Sequence, residues 1–240
     1  MNDIVLIHGA YHGTWCWDDK FLEAFKEKGY QTHCPDLRTV SMEEEQDTLL
    51  QTYVENLLRL VRTMEDSPVL VVHSAYSIVV LEYLKKYSET VEAVVFISPL
   101  PTRLEFPRVL SSGIRQLRMG LKKVFFSDRL SDQMTKMYLQ KLCTEKGGFA
   151  IETSKNHWKK TDKFPVPALL MGSENDNCVK WRWVKETAKR LGSDCIIYED
   201  ICHDMMLDPS AVKVAGDIIC FIKNVKGEKD KNHGEASAVC

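Results

Sequence analysis

The sequence predicts an α/β fold: a mainly parallel sheet with helices on both faces. Two observations point there. Short apolar runs rich in β-branched residues alternate with longer segments of helical period, and strands buried on both faces read as unbroken apolar runs rather than as apolar–polar alternation. The chain of 240 residues also suits one sizeable core better than two ordinary domains.

Taken in order, Ile4 to His8 is the first apolar run, and Asp18 to Lys28 follows it with helical period. Gln31 to Pro35 reads as the next strand and Met42 to Met64 as the next helix. Val69 to His73 is apolar up to its last residue and runs into the helical segment Ala75 to Tyr87. Val91 to Ile97 and Ala168 to Met171 are again β-branched and apolar. Lys180 to Leu191 is helical, Asp194 to Tyr198 is the last strand, and Pro209 to Lys223 is the last helix. Proline suits a first helical turn because the N–H it lacks would have no partner there.

Two stretches break the rhythm. From Ile97 to Pro165, residues such as Leu117, Met119, Phe125, Phe126, Met134 and Tyr138 are mixed with basic side chains over more chain than one helix needs. An inserted helical cap, residues 99–165, is expected within a single domain of residues 1–225. The remainder, 226–240, is too polar to offset the entropy of ordering and is expected to be flexible.

Composition excludes several functions. The hydrophobic fraction of 44%, the charged fraction of 28% and a net charge of −2 give no basic surface for nucleic acid, and no apolar run is long enough to span a bilayer. The start, Met1-Asn2-Asp3, runs directly into Ile4 with no signal pattern. Eight cysteines are scattered without a C-x-x-C pair, so free thiols in a reducing, cytoplasmic setting are expected. The expected partner is a small-molecule substrate.

The chemistry centres on Ser74, at the turn between the run Val69–His73 and the helix that follows. A strand-to-helix turn pushes a serine hydroxyl outward, and the helix N-terminus can stabilise negative charge beside it. The pattern G-x-S-x-G is not met, because Val72 and Tyr76 occupy the glycine positions. A second signal is the loop His8-Gly9-Ala10-Tyr11-His12-Gly13, where glycine after a buried strand lets a backbone N–H approach a substrate. The N–H groups of Ala10 and Ala75 are the candidate oxyanion donors. Third, the strand Ala168–Met171 leads into the acidic turn Gly172-Ser173-Glu174-Asn175-Asp176; Asp176 is the preferred acid and Glu174 its rival. Fourth, His203 lies on a loop after the last strand and can shuttle a proton near neutral pH. Each signal is weak alone. Ser74, Asp176 and His203 nevertheless fall in one order, each after a strand, and open α/β sheets carry their sites beyond the carboxyl ends of the strands.

These residues resemble those of the α/β-hydrolase superfamily. The opening HGAYHGTWCW, the PDLR at Pro35–Arg38, the strand–serine–helix unit, the GSEND turn and the CHDMMLDP segment follow the family's order over nearly the whole chain. The opening loop is similar to that of plant methyl esterases and hydroxynitrile lyases. The resemblance implies an α/β-hydrolase fold, a catalytic triad of Ser74, Asp176 and His203, oxyanion donors at Ala10 and Ala75, and a cap that roofs an apolar pocket. It implies no cofactor and no metal. The isolated histidines His33, His157 and His233, and the H-x-x-x-H spacing of His8 and His12 on a turn, do not make a zinc motif. His8, His12 and His73 are expected in structural roles.

Departures from the family are Val72 and Tyr76, which crowd the turn, and Cys202, which replaces the glycine usual before the histidine. The expected function is a serine hydrolase cleaving a carboxylic ester of a small, apolar substrate through an acyl-enzyme. The alternatives are a cofactor-free lyase on the same scaffold and a non-catalytic module that binds a small ligand.

Overall fold

The computed structural model describes residues 3–39, 48–102, 120–145, 147–153 and 164–227. Among them, six strands form one sheet in the order β2-β1-β3-β4-β5-β6, and every pairing is parallel. The strands are β1 (Asp3–Ile7), β2 (Gln31–His33), β3 (Val69–His73), β4 (Ala93–Ile97), β5 (Ala168–Ser173) and β6 (Asp194–Tyr198). The helices are α1 (Asp19–Lys26), α2 (Leu49–Val61), α3 (Ser77–Tyr87), α4 (Leu121–Phe125), α5 (Asp132–Lys141), α6 (Gly147–Glu152), α7 (Trp181–Leu191) and α8 (Ala211–Val225).

Successive side chains of a strand point to opposite faces, so an apolar run feeds two cores at once. Ile4, Leu6, Val69, Val71, Val95 and Leu169 pack with Phe21 and Phe25 of α1 and with Val214, Ile218 and Ile222 of α8. Val5, Ile7, Leu70, Val72, Val94 and Leu170 pack on the other face with Leu57 of α2, Ile78 of α3 and Val184 of α7. The expected parallel sheet with helices on both faces is therefore the observed one.

Helix starts follow side-chain capping. Asp18 accepts from the N–H of Lys20, Thr48 from that of Gln51 and Ser131 from that of Met134, each supplying an acceptor for an otherwise orphaned donor. Boundaries differ from expectation at two places that matter for the site. The segment after β3 begins as a tight 3₁₀ turn, Ser74–Tyr76, before α3 proper. At the other end Pro209 lies outside α8, which starts at Ala211. The carboxylate of Asp208 accepts from the N–H of Ser210 at 2.9 Å and turns the chain there first.

The sheet order places a crevice where it is needed. From β1 the chain crosses to β2 on one side, whereas β3 and β4 lie on the other, so the loops after β1 and β3 leave the sheet in diverging directions. Part of the segment between β4 and β5 lies against this end. The carbonyl of Phe125 in α4 accepts from the N–H of Asp204 at 3.1 Å, and the N–H of Cys143 donates to the carbonyl of Tyr11 at 2.9 Å. Arg129, between α4 and α5, donates to Asp200 at 2.8 Å, to the buried carboxylate of Asp208 and to Ser210. Leu117, Met119, His157 and nearly all of the polar C-terminal stretch lie outside the described residues.

The seven described cysteines are free thiols. No helix among the described residues is long and apolar enough to cross a membrane. Replacing Arg129 by alanine takes the guanidinium from the buried Asp208, and it removes the tie between the α4–α5 loop and the loop before α8. We expect this to lower stability by about 1–3 kcal/mol, read as a shift of the urea midpoint with an unchanged slope.

Candidate active site

Ser74 follows directly on β3, and its backbone has φ 52, in the left-handed region that non-glycine residues rarely occupy. This strained turn carries the side chain off the end of the strand while the helix begins behind it. Crowding by Val72 and Tyr76 is resolved by packing. Val72 lies wholly within the sheet core, paired between Ile7 and Phe96. Tyr76 places its ring 5.1 Å from His8, 5.5 Å from Tyr53 and 5.0 Å from Phe149, and its hydroxyl donates to Glu145. A large residue fits there because α2 and α6 supply an aromatic slot for it.

Close approach occurs instead at Gly9. A Cβ at this position would lie 2.7 Å from Nδ1 of His73, 3.0 Å from Cβ of Ser74 and 3.2 Å from the carbonyl of His73. Only glycine lets the loop after β1 pass so near the serine turn. That is the physical content of the glycine in the opening loop.

Ser74, His203 and Asp176 come together in one chain of hydrogen bonds. Nε2 of His203 is 3.0 Å from Oγ of Ser74, and Nδ1 of His203 is 2.8 Å from Oδ2 of Asp176. All three are buried, Ser74 at 8% exposure. A carboxylate can only accept, so Nδ1 carries a ring hydrogen, and in the neutral ring Nε2 is left to accept from the serine hydroxyl. The other oxygen of Asp176 accepts from the N–H groups of Cys178 and Val179 at 2.6 and 2.8 Å, which holds the carboxylate in orientation. Glu174, the rival acid, is exposed on the same turn.

The charged form of His203 is favoured. Burial opposes it, but Asp176 outweighs burial and Cys178 adds to it, which carries the ring well above the ordinary histidine value. His73 behaves oppositely: burial, reinforced by the rings of His203 and His12, holds it well below that value and therefore neutral. The two rings lie 4.8 Å apart.

Ala10 and Ala75 are half-buried beside this chain. They lie on the turns that follow β1 and β3. Around them, the ring of Phe125 lies 5.8 Å from that of His203 and 6.4 Å from that of Tyr11. These aromatic groups make one side of the site apolar.

Other residues support the loops, and the sequence did not single them out for these roles. Asp36 and Arg38 of the PDLR segment form a bidentate pair at 2.8 and 2.7 Å. Burial pushes the Asp36 carboxyl up, yet Arg38 and His8 outweigh it and hold it well below the usual carboxylate range. Arg38 also donates to Sγ of Cys143, whose thiol in turn reaches the carbonyl of His12. Ser98 at the end of β4 donates toward the carbonyl of His203 at 3.4 Å. The fold brings His12 to Asp204, with Nε2 of the ring 2.8 Å from Oδ2.

His12, His73 and Asp204 are also the described residues that could offer three ligand atoms to a metal, all within 4.8 Å of one another. The 2.8 Å separation of His12 and Asp204 is that of a hydrogen bond. His73 lies 3.7 Å from Oδ1 of the same carboxylate.

The sequence matches the alpha/beta hydrolase family over residues 4–215, and the chain belongs to that family. Among solved structures it shares its fold with a thermophilic esterase from Thermogutta terrifontis, at 13% identity and a TM-score of 0.74 over 94% of this chain and 90% of that one. It is similar to polyneuridine aldehyde esterase, at 16% identity and a TM-score of 0.70 over 91% of this chain and 99% of the other. A bromoperoxidase from Bacillus anthracis aligns at 19% identity and a TM-score of 0.71, with 92% of each chain covered. At such identities the likeness is one of fold. No curated protein matches the chain in sequence.

Replacing Gly9 by alanine forces a methyl group against His73 and Ser74. We expect a loss of about 1–3 kcal/mol, as for other overpacked sites, measured by thermal or urea unfolding.

Proposed function

We propose that the chain is a serine hydrolase that needs no cofactor and cleaves a carboxylic ester of a small, apolar substrate through an acyl-enzyme. The observation that carries this reading is the unbroken series of hydrogen bonds from Asp176 through His203 to Ser74, at 2.8 and 3.0 Å. Family membership over residues 4–215 adds support. So does the left-handed turn at Ser74, the conformation that carries a serine side chain off the end of a strand.

In this reading Ser74 Oγ attacks the acyl carbon as its proton passes to Nε2 of His203, and the carbonyl π pair moves onto oxygen. The N–H groups of Ala10 and Ala75 meet that oxyanion. Collapse breaks the bond to the alcohol, which leaves with the proton from Nε2. Water then attacks the acyl-enzyme, gives a proton to the same nitrogen and releases the acid, and the proton returns to Ser74. Asp176 remains ionised, orients the imidazole and offsets its transient positive charge. The part of the segment between β4 and β5 that contains Phe125 acts as a cap, and its aromatic face favours an uncharged acyl or alcohol group. A site used only for binding has no need of this hydrogen-bonded order.

Ser74→Ala should reduce hydrolysis of a short aryl ester by at least about a thousandfold and abolish labelling by a fluorophosphonate. Undiminished turnover in that variant, or labelling at another serine, would sink the proposal. Cyanide or aldehyde release from a cyanohydrin without an acyl-enzyme would point to a lyase instead.

The pH dependence follows from His203, which must be neutral to accept the serine proton. Because its pKa is raised, kcat/KM should climb with pH along a limb centred above about 6.5, as a pH–rate profile would read. The linked stability has the opposite sense. It is fully present below the unfolded-state value of about 6.5 and is lost as pH rises through the folded-state value.

A further inference from the structure

We infer that His12 and Asp204 are positioning residues: a buried carboxylate–imidazole clamp that orients the Ala10 peptide as an oxyanion donor, tying it to the loop that carries His203. The inference rests on the serine-hydrolase reading and assigns work to two residues outside the Ser74–His203–Asp176 chain.

Geometry around Ala10 carries it. The peptide between Gly9 and Ala10 is held by its carbonyl, which accepts from the N–H of His12 at 3.2 Å and from Nδ1 of His8 at 2.9 Å. In a trans peptide the N–H points away from the carbonyl of the same unit, so pinning that oxygen aims the Ala10 N–H to the opposite side. Two bonds to one amide oxygen also polarise the unit and strengthen its donor. The next peptide, between Ala10 and Tyr11, is held by the His12 ring, whose Nδ1 lies 2.8 Å from the carbonyl of Ala10. His12 therefore grips the units on both sides of Ala10, one with its backbone and one with its ring.

The ring's hydrogen placement follows from its partners. A carbonyl oxygen only accepts, so Nδ1 must carry a hydrogen toward Ala10. Nε2 shares a hydrogen with Asp204 Oδ2 at 2.8 Å, and the two side chains are 1% and 0% exposed. Trp15 stacks on the ring at 5.3 Å, and Phe125 meets it edge-on at 5.3 Å. With both nitrogens engaged and the ring wholly buried, its orientation is set by these partners. Asp204 is held in turn by its own N–H, bonded to the carbonyl of Phe125. Because Asp204 directly follows His203 in the chain, one short loop sets the proton acceptor and, through His12, the oxyanion donor.

A matched pair of 4-nitrophenyl acetate and its thiono analogue reads this arrangement directly. Sulfur accepts hydrogen bonds poorly, so preference for the oxygen ester reports how well the oxyanion donors are aimed. Rates are normalised to active sites counted by complete fluorophosphonate labelling, and folding is checked by thermal unfolding. In Asp204→Ala, kcat for the oxygen ester should fall about tenfold to a hundredfold, KM should change less than about threefold, and the oxygen preference should fall about tenfold. His12→Phe should reproduce that loss. Asp204→Asn should keep the preference, since the amide N–H can donate to Nε2 and leave the hydrogen on Nδ1. The inference is overturned if the preference is unchanged in both Asp204→Ala and His12→Phe, or if Asp204→Asn is as impaired as Asp204→Ala. If the unaltered chain hydrolyses neither compound, the serine-hydrolase reading falls and this inference with it.

Discussion

Everything at this site depends on how closely two backbones approach where β1 and β3 leave the sheet. Parallel pairing of Ile7 with Val72 brings the following residues side by side. Gly9 then passes so near His73 and Ser74 that no side chain could stand between them. On the other side of that contact the serine turn is in a left-handed conformation that a non-glycine residue adopts only under constraint. Strain of this kind persists because the surrounding packing over-determines it. Val72 is locked between its strand partners, and Tyr76 is held among His8, Tyr53 and Phe149.

The residues around the site are linked through a few shared groups. His203 lies between Ser74 and Asp176, and its neighbour Asp204 reaches across to His12 on the opposite loop. Arg129 secures the far end of the same loop by gripping Asp200 and Asp208, while Arg38 holds Asp36 and Cys143. Loops are the softest parts of such folds. Here charged and polar side chains from the segment between β4 and β5, and from the turn after β2, brace the loops on which His12 and His203 lie. Several buried histidines with different neighbours then take opposite protonation tendencies: His203 is favoured charged beside Asp176, and His73 is kept neutral by burial.

Much of this was legible in the chain itself. The strand Val69–His73 ends where its apolar run ends, because a strand buried on both faces needs a continuous apolar run. The order of Ser74, Asp176 and His203, each after a strand, pointed to one edge of the sheet, and these are the three residues that the fold brings within hydrogen-bonding distance. Reading was poorer where a residue's role comes from a partner distant in sequence. Tyr76 read as an obstruction because the residues that receive its ring and hydroxyl, Tyr53, Glu145 and Phe149, belong to other elements. Pro209 read as a helix start because the Asp208 side chain that turns the chain first could not be foreseen.

What the sequence determined by itself is what local periodicity and residue chemistry specify: a parallel α/β sheet, the strand ends, and which serine, acid and histidine could react. The tertiary structure alone decided between Asp176 and Glu174, since one is buried against His203 and the other faces solvent. It alone set His12 against Asp204 rather than beside His8 in function. The physical reason is the same in both cases. Burial and hydrogen-bond partners arise when separate loops converge at one end of the sheet, and no spacing along the chain encodes that distance.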